Sequence, residues 1–288
     1  MKRDPLVSAV RALARCSCAE DLPDPTTDSI FGPKEAVSAR LLVKGEGVIC
    51  GLELLGPIFE EIGRGVRIRL RAEDGDRVPA GRIVAEIDGP ARVILSGERT
   101  ALNILQHLSG VATATACAVE ATAGTRCRVL DTRKILPGFR LLDKYAVRTG
   151  GGTNHRMGLF DAILIKDNHI DRAGGLREAI DRVLAARKGK KKLPIIVEAR
   201  TLSDVDEALS RPVAQILLDN MDLATTRKAV AKVAGRVKLE ASGGMTPERI
   251  RKVARLGVDF VSIGAITHSA PALDLSLDVL PVGRRVRL

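Results

Sequence analysis

The sequence predicts an α/β protein: an incomplete β/α barrel of fewer than eight strands, preceded by a smaller α+β sandwich domain. Three observations carry this. Six short apolar, β-branched runs recur from residue 128 onwards: 128–131, 162–165, 195–198, 215–218, 237–240 and 260–263. The later runs lie about twenty residues apart with helical stretches between them, which is the cadence of parallel β/α units. The first hundred residues lack that cadence and show turn-bounded strands instead. Six runs are fewer than the eight strands of a complete barrel. An open, doubly wound sheet is the second reading. The expected division is an α+β domain over 1–108, a catalytic barrel over 109–266, and a C-terminal segment, 267–288, packing back on the first domain.

Along the chain, Leu6 to Arg15 has the spacing of a short amphipathic helix, and a Pro/Asp/Thr stretch follows (Pro23 to Thr27). Apolar segments at Ala39 to Val43 and Val48 to Ile49 precede a helix expected around Gly51 to Ile62. Val66 to Arg71 alternates at period two, as a half-buried strand does. Turn residues at Asp74-Gly75, Gly81 and Asp88-Gly89 bound two further expected strands, Ile83 to Ile87 and Ala91 to Leu95. From Ser96 the pattern becomes helical, with Ala101, Ile104, Leu105, Leu108 and Ala112 on one face. Among the later units, Asp204 to Leu209 and Pro247 to Leu256 read as helices.

The chain has 288 residues, 45% hydrophobic and 28% charged, a composition of globular proteins. Aromatics are scarce (no Trp, one Tyr, five Phe), so the core must be aliphatic. No apolar run approaches the ~20 residues of a membrane span, and the N-terminus lacks a secretory apolar stretch. A cytoplasmic protein without membrane contact is expected. The five cysteines are an odd number without a C-x-x-C pair or neighbouring His, so reduced structural thiols are expected rather than a zinc site. The net charge of +11 points to anionic partners. Nucleic-acid binders interleave basic residues with stacking aromatics. Here the one dense basic run, residues 187–192, reads as a solvated loop, so small phosphorylated or carboxylated substrates are favoured and no nucleic-acid partner is expected.

In parallel β/α folds ligands bind outside the carboxyl ends of the strands. The six runs end in Asp131-Thr132-Arg133-Lys134, Lys166-Asp167-Asn168-His169, Glu198, Asp219-Asn220, Glu240 with Ser242-Gly243-Gly244, and Gly264. A single charge at a strand end can simply meet solvent; charges at the ends of consecutive strands argue for a site. Ser242-Gly243-Gly244 leads through Thr246-Pro247 into a helix, and exposed backbone N–H groups at a helix N-terminus suit a phosphate. Gly264 would complete such a cradle. Ser96 is expected to cap a helix and to place Arg99 in its first turn, where a cation suggests an anion to be held. Gly150-Gly151-Gly152 reads as a hinge delivering His155 and Arg156, and Arg suits two-pronged binding of carboxylates. Glu198 and Asp219, on separate strands, suit a hard cation such as Mg²⁺. The residues thus argue for an enzyme handling a phosphate, a metal-bound polyphosphate and a carboxylate.

Several stretches carry a family resemblance: Ser96 to Asn103, Leu108 to Thr113, Asp131-Thr132-Arg133-Lys134 through Pro137-Gly138, Lys144 to Arg148, Gly150 to Arg156, Gly158 to Asp161, and Ile165 to Ile170. With Glu198, Asp219-Asn220, Glu240 to Gly244 and Ser262 to Gly264 in order, the chain resembles the quinolinate phosphoribosyltransferases over nearly its whole length. The resemblance implies transfer of the phosphoribosyl group of phosphoribosyl pyrophosphate to quinolinate, with decarboxylation to nicotinate mononucleotide. It also implies a homodimer with a shared active site. On that basis Arg133, His155, Arg156 and Lys166 would hold the quinolinate carboxylates, joined by Arg99 of a second subunit. Lys134, Glu198 and Asp219 would be catalytic, binding phosphoribosyl pyrophosphate and its Mg²⁺, with Glu198 and Asp219 on the metal. Ser242, Gly243, Gly244 and Gly264 would take the phosphate. Ile135-Leu136 replaces a usual Thr-Thr, and Thr149 replaces a frequent Cys. A related transferase of the molybdate-transport type, a Schiff-base aldolase using Lys166 or Lys134, and a basic nucleic-acid binder are the rival readings.

Overall fold

The computed structural model describes residues 4–187 and 193–281. The basic run beyond Arg187 and the C-terminal tail 283–288 lie outside the described residues. In chain order the elements are α1 (Pro5–Asp21), α2 (Pro25–Ile30), β1 (Ala36–Val43), β2 (Gly47–Val48), α3 (Leu55–Glu60), β3 (Arg67–Leu70), β4 (Arg77–Val78), β5 (Ile83–Pro90) and α4 (Ala91–Ala121). There follow β6 (Arg128–Leu130), α5 (Arg140–Thr149), β7 (Ile163–Ile165), α6 (Asp167–Ala173), α7 (Leu176–Ala186), β8 (Ile195–Ala199), α8 (Leu202–Leu209), β9 (Gln215–Asp219), α9 (Leu223–Val233), β10 (Lys238–Ser242), α10 (Pro247–Arg255), β11 (Phe260–Ser262), α11 (Ala265–His268) and β12 (Leu275–Val279).

Packing divides the described residues into two compact units, one of residues 4–116, 135–151 and 266–281, the other of 117–134, 152–187 and 193–265. The first unit holds a four-stranded antiparallel sheet in the order β12-β1-β5-β3. Residues 135–151, which lie within the expected barrel span, pack in this unit, and so does β12, which pairs with β1 from Ala39↔Val279 to Val43↔Leu275. Helix α1 runs on past Arg15 because its buried stripe, Val10, Ala14 and Cys18, continues at a spacing of four.

Ala91 to Leu95 is not a strand. It is the first turn and a half of α4, whose buried positions Ala91, Ile94, Gly97 and Thr100 recur every three residues. A five-residue apolar run cannot by itself distinguish a strand from the start of a buried helix. Ser96 therefore caps nothing. Its hydroxyl donates to Asp24 Oδ2 at 2.9 Å, and Arg99 stands exposed in the third turn rather than the first. Gly97 is required here, since a Cβ would come within 2.6 Å of Ile62 and 3.0 Å of Phe59.

The second unit is the barrel. Its six parallel strands run in the order β6-β11-β10-β9-β8-β7. Strands β7 to β11 are neighbours in chain order, and the last pairs back to the first, β6, as in a closing barrel. A doubly wound sheet would instead reverse its order at a switch point. Among the described residues β6 and β7 are not paired, so the barrel is incomplete on that side. There Thr153 makes a single parallel bridge to Leu130. The strands are buried on both faces, β8 at all five positions, which is why they read as nearly continuous apolar runs.

Candidate active site

Strand register assembles the site. Residues paired across a parallel sheet point to the same face, so Glu198, Leu217 and Glu240 form one layer and Asp219, Ser242 and Ser262 the layer above it. Leu217, with Ala162 and Ile196, belongs to a buried apolar floor against which Leu164 packs. Above the floor opens a cavity of about 300 Å³ at the carboxyl ends of the strands. Arg133, Lys134, His155, Arg156, Lys166, Glu198, Asp219 and Ser242 all line it, with Thr132, Leu164, Leu217, Glu240 and Ser262. Eight of the twelve expected site residues thus meet in one hollow.

The other four do not line this cavity. Gly243 and Gly244 directly follow Ser242, both with positive φ (98° and 55°), and a Cβ at Gly243 would sit 1.9 Å from Asn220 Oδ1. Only glycine fits that turn. It leads into α10, where the Thr246 hydroxyl accepts from the Arg249 N–H and Pro247 opens the helix. Gly264 follows β11 and precedes α11. Arg99 belongs to the first unit, with Glu98 at 4.0 Å.

Asp131 organises the cationic side. It is buried at the end of β6, and its carboxylate accepts from the Asn154 side-chain amide at 2.8 Å and the His155 N–H at 2.7 Å. The Arg156 N–H donates to His155 Nδ1 at 2.6 Å, and its guanidinium donates to the Ala162 carbonyl at 3.2 Å. Asp161 accepts from the N–H groups of Met157 and Gly158, closing the turn that follows. Burial and the neighbouring Arg133 guanidinium both hold Arg156 below its ordinary pKa. Two guanidiniums crowded into a half-buried hollow favour an anion between them.

The opposite side holds acids. Burial, then the charges of Asp219 and Asp167, push the Glu198 carboxyl above its usual range, and Lys166 offsets this in part. A carboxyl raised by a neighbouring carboxylate forms with it a hard-oxygen pair suited to a divalent cation. No cluster of three or more His, Cys, Asp or Glu side chains able to hold a metal occurs among the described residues. A cation here would therefore draw its remaining ligands from substrate oxygens and water, as Mg²⁺ commonly does.

Two contributors had no role assigned from the sequence. Asp131 looks like any strand-end acid, and only its long-range bonds to residues 154 and 155 reveal it. Glu240 is fully buried in the middle of β10, accepts from the Gln215 amide, and lies 3.3 Å from His155 Nε2. A glutamate flanked by the apolar Leu239 and Ala241 in a buried strand is the signal that marks it.

Fold and cavity together define a β/α-barrel enzyme whose rim gathers cationic side chains on one side and carboxylates on the other. Comparison with known proteins narrows this: residues 24–109 match the N-terminal domain of quinolinate phosphoribosyl transferase and residues 111–278 its C-terminal domain, and the chain belongs to that family. The probable nicotinate-nucleotide pyrophosphorylase [carboxylating] of Bacillus subtilis is 40% identical over 256 residues, covering 89% of this chain and 88% of the relative. The chloroplastic carboxylating nicotinate-nucleotide pyrophosphorylase of Arabidopsis thaliana is 41% identical, over 87% of this chain and 78% of its own length. The crystal structure of NadC from Streptococcus pyogenes superposes with a TM-score of 0.90 at 38% identity, over 98% of this chain and all of that one.

Proposed function

We propose that this protein is a carboxylating nicotinate-nucleotide pyrophosphorylase, a phosphoribosyltransferase of NAD biosynthesis. It joins quinolinate to phosphoribosyl pyrophosphate and releases carbon dioxide and pyrophosphate. The observation that carries this reading is the crowding of Arg156 against Arg133 on one side of the cavity and of Glu198 against Asp219 on the other. A dicarboxylate satisfies the first pair, and a pyrophosphate with its cation satisfies the second. This is the family's main reaction rather than the molybdate-transport alternative, in keeping with the relatives' printed names.

Arg133, Arg156 and Lys166, with His155, hold the two carboxylates and aim the ring nitrogen at the ribose. Arg guanidiniums bind carboxylates in pairs of parallel hydrogen bonds, which fixes orientation as well as charge. Lys134 stabilises the charge that develops on the departing pyrophosphate. Glu198 and Asp219 would hold Mg²⁺, which when bound supplies further charge neutralisation for that leaving group. Ser242 and the N–H groups of Gly243, Gly244 and Gly264 receive the 5′-phosphate. Once the ring nitrogen is alkylated it is cationic and stabilises the electron pair left at C2 as the carboxylate departs as carbon dioxide, and that carbon then takes a proton from water. Ribosyl transfer therefore precedes decarboxylation. Enzyme-dependent carbon dioxide release from quinolinate alone, at the turnover rate, would contradict that order.

The homodimer is part of the proposal. A second hollow, of about 540 Å³, is lined by Ala162, Ile163, Leu164, Ile165, Ala179 and Val183 among others, with Leu159 beside it 68% exposed. With Phe160 72% exposed next to Leu159, this is an apolar surface suited to a second subunit. Such a subunit would bring its own Arg99 to the site. No described helix is long and apolar enough to cross a membrane, and unpaired thiols suit the reducing cytoplasm.

The test is to follow nicotinate mononucleotide formation from phosphoribosyl pyrophosphate and Mg²⁺ with either quinolinate or nicotinate. Product from quinolinate alone supports the reading; product from nicotinate, or from neither with folded protein, overturns it.

A further inference from the structure

We infer that Glu240 is a positioning residue of the quinolinate subsite, acting through His155; this rests on the function proposed above. His155 is held at two points. Its backbone N–H donates to Asp131, and its Nδ1 accepts the Arg156 N–H at 2.6 Å. An Nδ1 that accepts carries no proton, so the neutral imidazole bears its proton on Nε2. That nitrogen faces Glu240 Oε2 at 3.3 Å. Gln215, on the adjacent strand β9, donates its amide to the same oxygen. The carboxylate thus sets the direction of the ring, and the ring in turn bears on the backbone that presents Arg156.

Burial argues that this carboxylate belongs to the site rather than to packing. Its register neighbours are Leu217 on β9 and Phe260 on β11, both apolar. Its side chain is 1% exposed, and Oε1 is buried without a hydrogen-bond partner. A buried carboxylate oxygen left unmet is costly, and an apolar side chain would serve the fold better. What compensates it is the cavity it lines, where Arg133, Arg156, Lys134 and Lys166 supply positive charge. Glu240 therefore offsets part of the repulsion among those cations while keeping the Nε2 proton aimed. Removing its charge would leave the carboxylate-binding side misaligned and the pyrophosphate side intact.

The test compares Glu240→Gln and Glu240→Leu with the wild type. Steady-state kinetics would be read as separate KM values for the two substrates. Expected is a roughly tenfold rise in quinolinate KM for E240L and a smaller one for E240Q, whose amide oxygen still accepts from Nε2. The KM for phosphoribosyl pyrophosphate should stay within about twofold. In the ligand-free protein, ¹⁵N spectra of the four histidines, with His155 assigned by loss of its signals in His155→Gln, should show the Nε2 signal shifted in both variants. Equal rises in both KM values, or an unmoved His155 signal, would overturn the inference. Should E240L fail to fold, E240Q and Gln215→Met, which frees Oε2 of its second donor, decide by the same readouts. A wild type inactive on quinolinate would instead refute the proposed function, while the spectra still report whether Glu240 holds His155.

Discussion

Charge is treated in opposite ways on the outside and on the inside of the barrel. Outside, opposite charges are paired between successive β/α units. Arg200 reaches Asp171 of α6 at 2.7 Å, Arg211 binds Asp181 of α7 through two bonds of 2.7 and 3.0 Å, and Lys232 of α9 meets Asp206 of α8 at 2.7 Å. The Arg211 guanidinium holds the Asp181 carboxyl below its usual range, as a satisfied partner should. Inside, like charges are crowded: Arg133 lowers Arg156, and Asp219 raises Glu198. Folding alone would not select such neighbours. Paired charges mark the scaffold, and crowded ones mark what the scaffold is built to bind.

The sharpest break in that comparison is Arg156→Ala. Removing one of two neighbouring guanidiniums that share a dianion should lower kcat/KM for quinolinate by roughly a hundred- to a thousandfold. Arg156→Lys should recover little, because an ammonium lacks the planar fork. Next is subunit mixing. If Arg99 enters a neighbour's site, Arg99→Ala and Lys166→Ala, each nearly inactive, should regain about a quarter of wild-type activity when mixed and reassociated, since half of the random dimers are mixed and each has one intact site. No recovery in a mixture that has exchanged subunits would place both residues in a single chain's site.

Glu198→Gln sharpens the comparison by separating function from stability. It should abolish most activity yet raise the Tm of the ligand-free protein by about 2 °C near neutral pH. Because the folded Glu198 carboxyl titrates above its ordinary 4.5, the fold favours its protonated form. Its contribution to stability is full below the unfolded pKa and is lost as pH rises through the folded one. The Tm advantage of the Gln variant should therefore shrink as pH falls through the folded pKa and vanish once pH is below about 4.5, and thermal melts across pH 4 to 8 would show it. The smallest effect belongs to the outside. Asp181→Asn should leave kcat/KM unchanged and lower Tm by no more than about 2 °C, because a single solvent-exposed ion pair stabilises little.

The barrel and most of its rim were legible in the sequence for a physical reason. Parallel strands buried on both faces, such as Ile195 to Ala199, must be nearly continuous apolar runs, and the first polar residue after each run stands at the rim. The register that aligns Asp219 with Ser242 and Ser262 is set by strand pairing and was not legible in any single run. Other features depend on partners far away in sequence. Ala91 to Leu95 has the composition of a strand and becomes helical because its apolar positions continue the α4 stripe. The pairing of β12 with β1 joins residues more than two hundred positions apart. Asp131 and Glu240 gain their roles from Asn154, His155 and Gln215, contacts that no local pattern encodes. The family motifs supplied the remaining expected site residues, Arg99 among them.

The most direct measurement is calorimetric titration of quinolinate, and separately nicotinate, into the wild type and Arg156→Ala. The account predicts that the wild type binds quinolinate far more tightly than nicotinate, and that Arg156→Ala loses about a hundredfold in quinolinate affinity or more. Equal quinolinate affinity in the two proteins would contradict the claim that the crowded guanidiniums recognise the dicarboxylate.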